Sequence, residues 1–437
     1  MISKSLPPKL LEVWNVLKKN FAENFDFLSI APFLGKWLPF AFAMGIVAGF
    51  LASAVDFIIL RINGFLESYP FLFFVYPLFV AYITALLIEK DPSIAGPGIG
   101  YAIFHLRTKR YIPFSSILLK FFAAILALSG TFIAGREGPS FYLGVALGEW
   151  LGKIYGFSRK YKPFLATVGA GAFTGALLKA PLGSAIFAME LEKTYNLNYK
   201  PFVPLLVASI VGYLTFSFFR GSHHFIPLAA TPTWNLNIIP YIVFMGIIVS
   251  LTVYIYSVVF HTAGYFAKQI KNKRKRLLLG TALALPLCFL LAKTISYQLL
   301  SVPAKMNILS YLAQNPIPVW KDILLIAGVI TTTSLTLGFG ISGGLVLPNL
   351  LIGLAIGNIF GNYFPNYIEV FTIAGMGAAL AAGAKTPLAA IVMITEMTHT
   401  DVVIPMASAI VSSYIMSFGY HLYKGQIKEK PFDVEGI

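Results

Sequence analysis

The segment Gly169-Ala-Gly171-Ala172, followed by Lys179-Ala-Pro181-Leu182 and then Glu190, returns later in the chain as Gly375-Met-Gly377-Ala378, Lys385-Thr-Pro387-Leu388 and Glu396, each pair offset by 206 residues. A second set, Gly135, Pro139, Gly144, Gly148 and Gly152, returns as Gly344, Pro348, Gly353, Gly357 and Gly361 with an offset of 209. Glycine at four-residue spacing is explained by close helix packing alone. That explanation does not cover Pro, Lys and Glu keeping the same register, so the chain is read as an internal duplication. In a membrane chain, duplication suggests two structural repeats with a substrate site near the midplane, where broken helices meet. The residues leave open whether the repeats are inverted.

Composition shows that the solvent is a bilayer. Of 437 residues, 57% are hydrophobic and 12% charged, and mean hydropathy is +0.76. A water-soluble core cannot hide that much apolar surface. Apolar runs able to cross or deeply enter a bilayer, roughly 20 residues each, are read near 37–60, 71–88, 118–134, 141–157, 164–190, 202–219, 237–260, 278–298, 322–341, 345–361, 370–395 and 402–420. The expectation is an all-α, multi-pass integral membrane protein. Residues 1–35 read as an N-terminal cytoplasmic surface helix, 36–220 and 221–427 as the two membrane repeats, and 428–437 as a short cytoplasmic tail without room for a regulatory (CBS) domain.

The net charge of +15 sits in short interruptions between apolar runs and not on one soluble face, which argues against nucleic acid as a partner. Its densest cluster is Lys268, Lys271, Lys273, Arg274, Lys275 and Arg276. Basic loops stay cytoplasmic during insertion, placing this cluster, the Arg107–Lys109–Arg110 turn and the Lys-rich N-terminus inside, against anionic lipid. The single cysteine, Cys288, can form no internal disulfide.

Three Gly/Pro-rich breaks interrupt the apolar runs: Gly96-Pro97-Gly98-Ile99-Gly100, Gly135-Arg136-Glu137-Gly138-Pro139 and Gly343-Gly344-Leu345-Val346-Leu347-Pro348. Glycine lets the backbone approach a ligand, and proline suits the first turn of the helix that follows. Helix starts carry about half a positive charge, so several aimed together make an anion site. Such a site replaces an anion's water without holding the ion too firmly to leave. Within these breaks Glu137 stands out, because a carboxylate in an apolar region is costly and functional by default. Ionised, it is a tethered anion competing for those amides; protonated, it swings away, which makes it both a gate and a proton carrier. The competing reading is a structural ion pair with Arg136.

These segments resemble motifs of the CLC family of chloride channels and transporters. Gly135–Pro139 is similar to its GREGP motif, Gly96–Ile99 to GSGIP and 343–348 to GxFxP, and Lys120-Phe121-Phe122 stands upstream at the family's spacing. The two Lys-x-Pro-Leu…Glu segments extend the resemblance over residues 37 to 427. It implies the CLC-type fold, two inverted repeats of tilted and partially spanning helices, in a homodimer with a pathway in each subunit. It further implies a central anion site at the amides near Gly98, Ile99, Leu345 and Val346, with Pro97 beside it, and an outer one near Arg136 and Gly138. Tyr423 resembles the tyrosine whose hydroxyl touches the central anion; an interfacial anchor is the alternative. Only the transported chloride, halide or nitrate would be bound, with no cofactor and no metal, and the setting implied is a prokaryotic inner membrane.

Departures from the family pattern carry their own expectations. Pro97 replaces a serine hydroxyl donor, as in the nitrate-preferring branch, and Val346 replaces a phenylalanine. Leu191 stands where the antiporter branch has its inner proton-relay glutamate, with Glu192 about 100° further around a helix. Glu190, recurring as Glu396, reads as a cap or packing residue. Antiport of anions and protons through Glu137 is preferred, a passive voltage- or pH-gated chloride channel is the alternative, and a cation transporter is weaker. An enzyme is not expected, since His105, His223, His224, His261, His399 and His421 are scattered and no nucleotide-binding loop is present.

Overall fold

The computed structural model describes residues 27–107, 111–192, 201–223, 225–227, 232–300 and 302–423. Sixteen α-helices lie among the described residues. The first half holds α1 (Phe27–Ser68), α2 (Leu72–Lys90), α3 (Ile99–Arg107), α4 (Phe114–Leu128), α5 (Glu137–Ile154), α6 (Lys162–Leu178), α7 (Pro181–Glu192) and α8 (Phe202–Arg220). The second holds α9 (Ile239–Gln269), α10 (Lys273–Thr294), α11 (Val302–Gln314), α12 (Val319–Thr336), α13 (Val346–Gly361), α14 (Ile368–Ala384), α15 (Pro387–Thr398) and α16 (Val403–Met416). Seven are long and apolar enough to cross a bilayer, and the others include shorter apolar helices of 10–17 residues. Helices satisfy their own backbone groups, as a spanning element in lipid must. The chain is a multi-pass membrane protein.

Several of the repeated glycines, Gly144, Gly148 and Gly169 and their counterparts Gly353, Gly357 and Gly375, mark places where two backbones touch. A Cβ on Gly144 would lie 2.7 Å from the Cα of Ala170 on α6, and one on Gly357 would lie 2.6 Å from the Cα of Thr372 on α14. The α5–α6 contact is thus rebuilt as α13–α14, which is why the glycines recur in register.

The repeated lysines brace each half, and the repeated glutamates tie the halves together. Lys179 and Lys385 end α6 and α14 in the left-handed conformation, at φ 53° and 61°. Lys179 Nζ donates to the carbonyl of His223 at 2.8 Å, just past α8, and Lys385 Nζ donates to that of Ser417, just past α16. The runs read as continuous at 164–190 and 370–395 are therefore each two helices, broken at a lysine. Glu190 then accepts from the amides of Leu388 and Ala389 at 3.1 and 2.8 Å, capping α15, while Glu396 accepts from those of Leu182 and Gly183 at 3.0 and 2.7 Å, capping α7. Such reciprocity is the signature of a two-fold relation. The C-terminal end of each helix meets the N-terminal end of the other, so α7 and α15 run antiparallel. A two-fold across these antiparallel helices reverses each element of one repeat in the other, and the repeats are inverted.

Among the described residues, helix α1 runs unbroken from Phe27 to Ser68, through Pro32 and Pro39. It is continuous across the boundary placed at residue 35. The rest of the proposed N-terminal surface helix and the proposed tail, with Gln426, lie outside the described residues.

Candidate functional site

Three helix starts are built from the three Gly/Pro breaks. Glu137 is the first residue of α5, Val346 of α13 and Ile99 of α3. The first two are tied by a pair of backbone hydrogen bonds: Gly135 donates to the Gly344 carbonyl at 2.8 Å, and Gly344 donates back at 2.6 Å. This bridge joins corresponding residues of the two repeats, so the repeat axis passes close to it.

The third start is held differently. Gly96 and Gly98 take φ +66° and +84°, which side-chain-bearing residues rarely adopt. Gly96 donates to the Gly340 carbonyl at 3.0 Å, and the buried Lys120 ammonium donates to the carbonyls of Ile94 and Gly96 at 2.9 and 2.8 Å. Lys120 thus satisfies two carbonyls of the loop that leads into α3 and lies beside Gly98. Gly138 closes the arrangement: a Cβ there would collide with the Pro97 carbonyl oxygen and lie 2.8 Å from the Gly344 Cα.

The Glu137 carboxylate lies over this junction. It faces its own amide and that of Leu347, in the first turn of α13. Its Oε2 is buried beside Gly135 and Gly344 without a hydrogen-bond partner. Arg136 does not hold it: the guanidinium bonds Asp56 of α1 at 2.7 Å, and Asp56 also receives Arg220 of α8 at 2.9 Å. The structural ion pair offered as the alternative to a gate is not formed, because the Arg136 guanidinium pairs with Asp56 instead.

On the other side of the junction lies a cavity of about 650 Å³ lined by Pro97, Gly98, Gly100, Leu345 and Tyr423. Tyr423 is buried, its hydroxyl has no hydrogen-bond partner, and it interacts electrostatically with Glu137. An interfacial anchor would have a wet hydroxyl, so the anchor reading fails. Ile99 and Val346 are buried at their helix starts, their side chains away from the cavity lining. The structure therefore gathers Pro97, Gly98, Leu345 and Tyr423 at one cavity and places Arg136, Glu137 and Gly138 just behind it.

Sequence reasoning missed Asp56, although a carboxylate inside the first apolar run was the same signal that marked Glu137. It also took the basic cluster as a topology and lipid signal only, whereas Lys268, Lys273 and Arg276 line the cavity. Leu191 is fully buried, and the side chain of Glu192 lies outside the described set. Among the described residues no three His, Cys, Asp or Glu side chains gather as metal ligands; His224 is not among them.

Known proteins carry the same architecture. An uncharacterized protein of Methanocaldococcus jannaschii is 29% identical over 87% of this chain and 93% of its own length. A chloride/fluoride channel protein of Pseudomonas syringae is 25% identical over 91% and 88%, and an H(+)/Cl(-) exchange transporter of Vibrio cholerae is 26% identical over 74% and 70%. Among solved structures, a CLC-type fluoride/proton antiporter superposes with a TM-score of 0.79 at 20% identity, covering 90% of this chain and 98% of that one. A slow cyanobacterial Cl-/H+ antiporter gives 0.77 at 22%, covering 89% and 96%. The sequence model of the voltage gated chloride channel family matches residues 78–417, a span that holds all three breaks and both Lys-x-Pro-Leu segments. The duplicated, inverted helices around three convergent helix starts are thus those of a known architecture, and the chain belongs to the voltage gated chloride channel family.

Proposed function

We propose that this protein exchanges small inorganic anions, chloride and nitrate among them, for protons across the membrane, with Glu137 as gate and proton acceptor. The observation that carries this reading is the Glu137 carboxylate lying against the Leu347 amide at the start of α13. There it occupies the place where a free anion would meet the same amides. An arriving anion and a charged Glu137 exclude each other, and protonation removes the competitor, so the two ions take turns. The amides of Gly98, Ile99, Leu345 and Val346, with the Tyr423 hydroxyl, form the central anion site; those of Arg136 and Gly138 form the outer one. Helix-end partial charges bind moderately, which suits turnover.

The exchange transporter among the relatives supports proton coupling. The buried leucine at 191 favours a passive channel instead, because it offers no inner proton acceptor, and so does the likeness to a chloride/fluoride channel protein. The proposal includes a homodimer with a pathway in each protomer, in a prokaryotic inner membrane. Its direct test is efflux of chloride and nitrate from liposomes holding the purified protein. Efflux above that of protein-free liposomes, with nitrate faster than chloride under matched gradients, is the expected result. Efflux of potassium in place of either anion would overturn it in favour of a cation carrier.

A further inference from the structure

The cavity under Pro97 and Tyr423 has an asymmetric lining. It carries Lys268, Lys273 and Arg276, with His261 beside them, and, among the described residues, no carboxylate. Two of the neighbouring basic residues have structural work. Lys273 Nζ donates to the Ile88 carbonyl at 3.0 Å, and Arg274 pairs with Glu89 through two hydrogen bonds of 3.0 and 2.9 Å. These contacts fasten the start of α10 to the end of α2.

Arg276 is turned elsewhere. Its Nη2 lies 3.3 Å from where a Cβ on Gly340 would stand, in the loop whose Gly340 carbonyl accepts from Gly96. Its Nε is buried and has no hydrogen-bond partner. Arg276 is half-buried and lines the cavity that holds the central-site residues, and an unfilled buried donor on it carries a cost. Placing such a charge in the first turn of α10 adds to the expense, because the helix N-terminus is already positive. Both costs are relieved by an anion in the cavity.

Shape narrows the choice of anion. A guanidinium is a planar fork that recognises planar oxygen groups through two parallel hydrogen bonds, whereas a halide takes only a point attraction. A lysine at the same place would serve every anion alike. We propose that Arg276 is a specificity-determining residue, receiving a planar oxyanion of the nitrate or bicarbonate class at the inner end of the pathway. The inference rests on the transport reading and deepens it, since Pro97 has removed the hydroxyl that would favour a halide.

The test uses full-length protein in liposomes and in detergent, with nitrate, bicarbonate and bromide as probes, the last a sphere comparable to nitrate in size. Arg276→Gln should weaken nitrate and bicarbonate binding by calorimetry about tenfold or more, the size of a lost charge-assisted pair, and bromide by less than about threefold. Arg276→Lys should keep bromide flux and still lose the preference for nitrate over bromide. Loss of all three anions alike in Arg276→Gln, or full nitrate preference in Arg276→Lys, overturns the proposal while leaving anion transport standing. If wild-type liposomes pass none of the anions, the transport reading itself fails and this inference falls with it.

Discussion

Gly138 has no room for even a methyl group, because the Pro97 carbonyl and the Gly344 backbone occupy its open side. Gly138→Ala should push the start of α5 away from both loops, costing about 1–3 kcal/mol of stability and most of the anion flux. A thermal unfolding midpoint together with chloride efflux checks both, and unchanged values would show that the loops can yield. Asp56 carries a larger share. It holds Arg136 and Arg220 at once, all three largely buried. Asp56→Asn would leave two guanidinium groups short of their counter-charge, and breaking a buried pair costs about 3–5 kcal/mol. The expected outcome is a protein that unfolds well below the wild type in detergent. An unaltered midpoint would mean that lipid or water supplies the missing charge. Asp56 was legible as a residue but its role was not, since its partners stand 80 and 164 positions away.

At the scale of elements, α7 and α15 each depend on a carboxylate from the other. Glu190→Gln removes the charge that caps α15, and Glu396→Gln the charge that caps α7. Each should destabilise by about 0.5–2 kcal/mol, with similar losses because the geometry is reciprocal. Midpoints of the two single variants check this, and a loss confined to one would contradict the symmetry of the caps. The recurrence of the two glutamates already pointed to a cap, whereas its cross-repeat form did not show, because a sequence records which residues recur and not which face each other. The lysine breaks escaped notice for a different reason. Hydropathy continues through Lys179 and Lys385, and the left-handed turn there lies in the backbone. Glycine spacing told more, since a close backbone approach leaves a direct mark on residue choice.

Across the whole molecule, the inverted repeat places the ends of α2 and α9 and the start of α10 around one cavity, with the basic residues at its mouth. Lys271 is exposed in that loop and the native Cys288 is buried. A membrane-impermeant thiol reagent should therefore label Lys271→Cys in inside-out vesicles and not in intact cells; the reverse pattern would invert the assigned orientation. The duplication, the three breaks and Glu137 were all legible because each needs a particular residue type at a particular backbone position. Coupling was not, because Leu191 speaks against a familiar proton route and only the setting of Glu137 speaks for one. The central claim is that Glu137 makes anion and proton take turns, and its most direct measurement is proton movement in liposomes under an imposed chloride gradient, beside Glu137→Gln. Uphill proton movement in the wild type, lost in the variant while chloride flux persists, is the predicted result. Chloride flux without proton movement in the wild type would contradict it and make the protein a passive conduit.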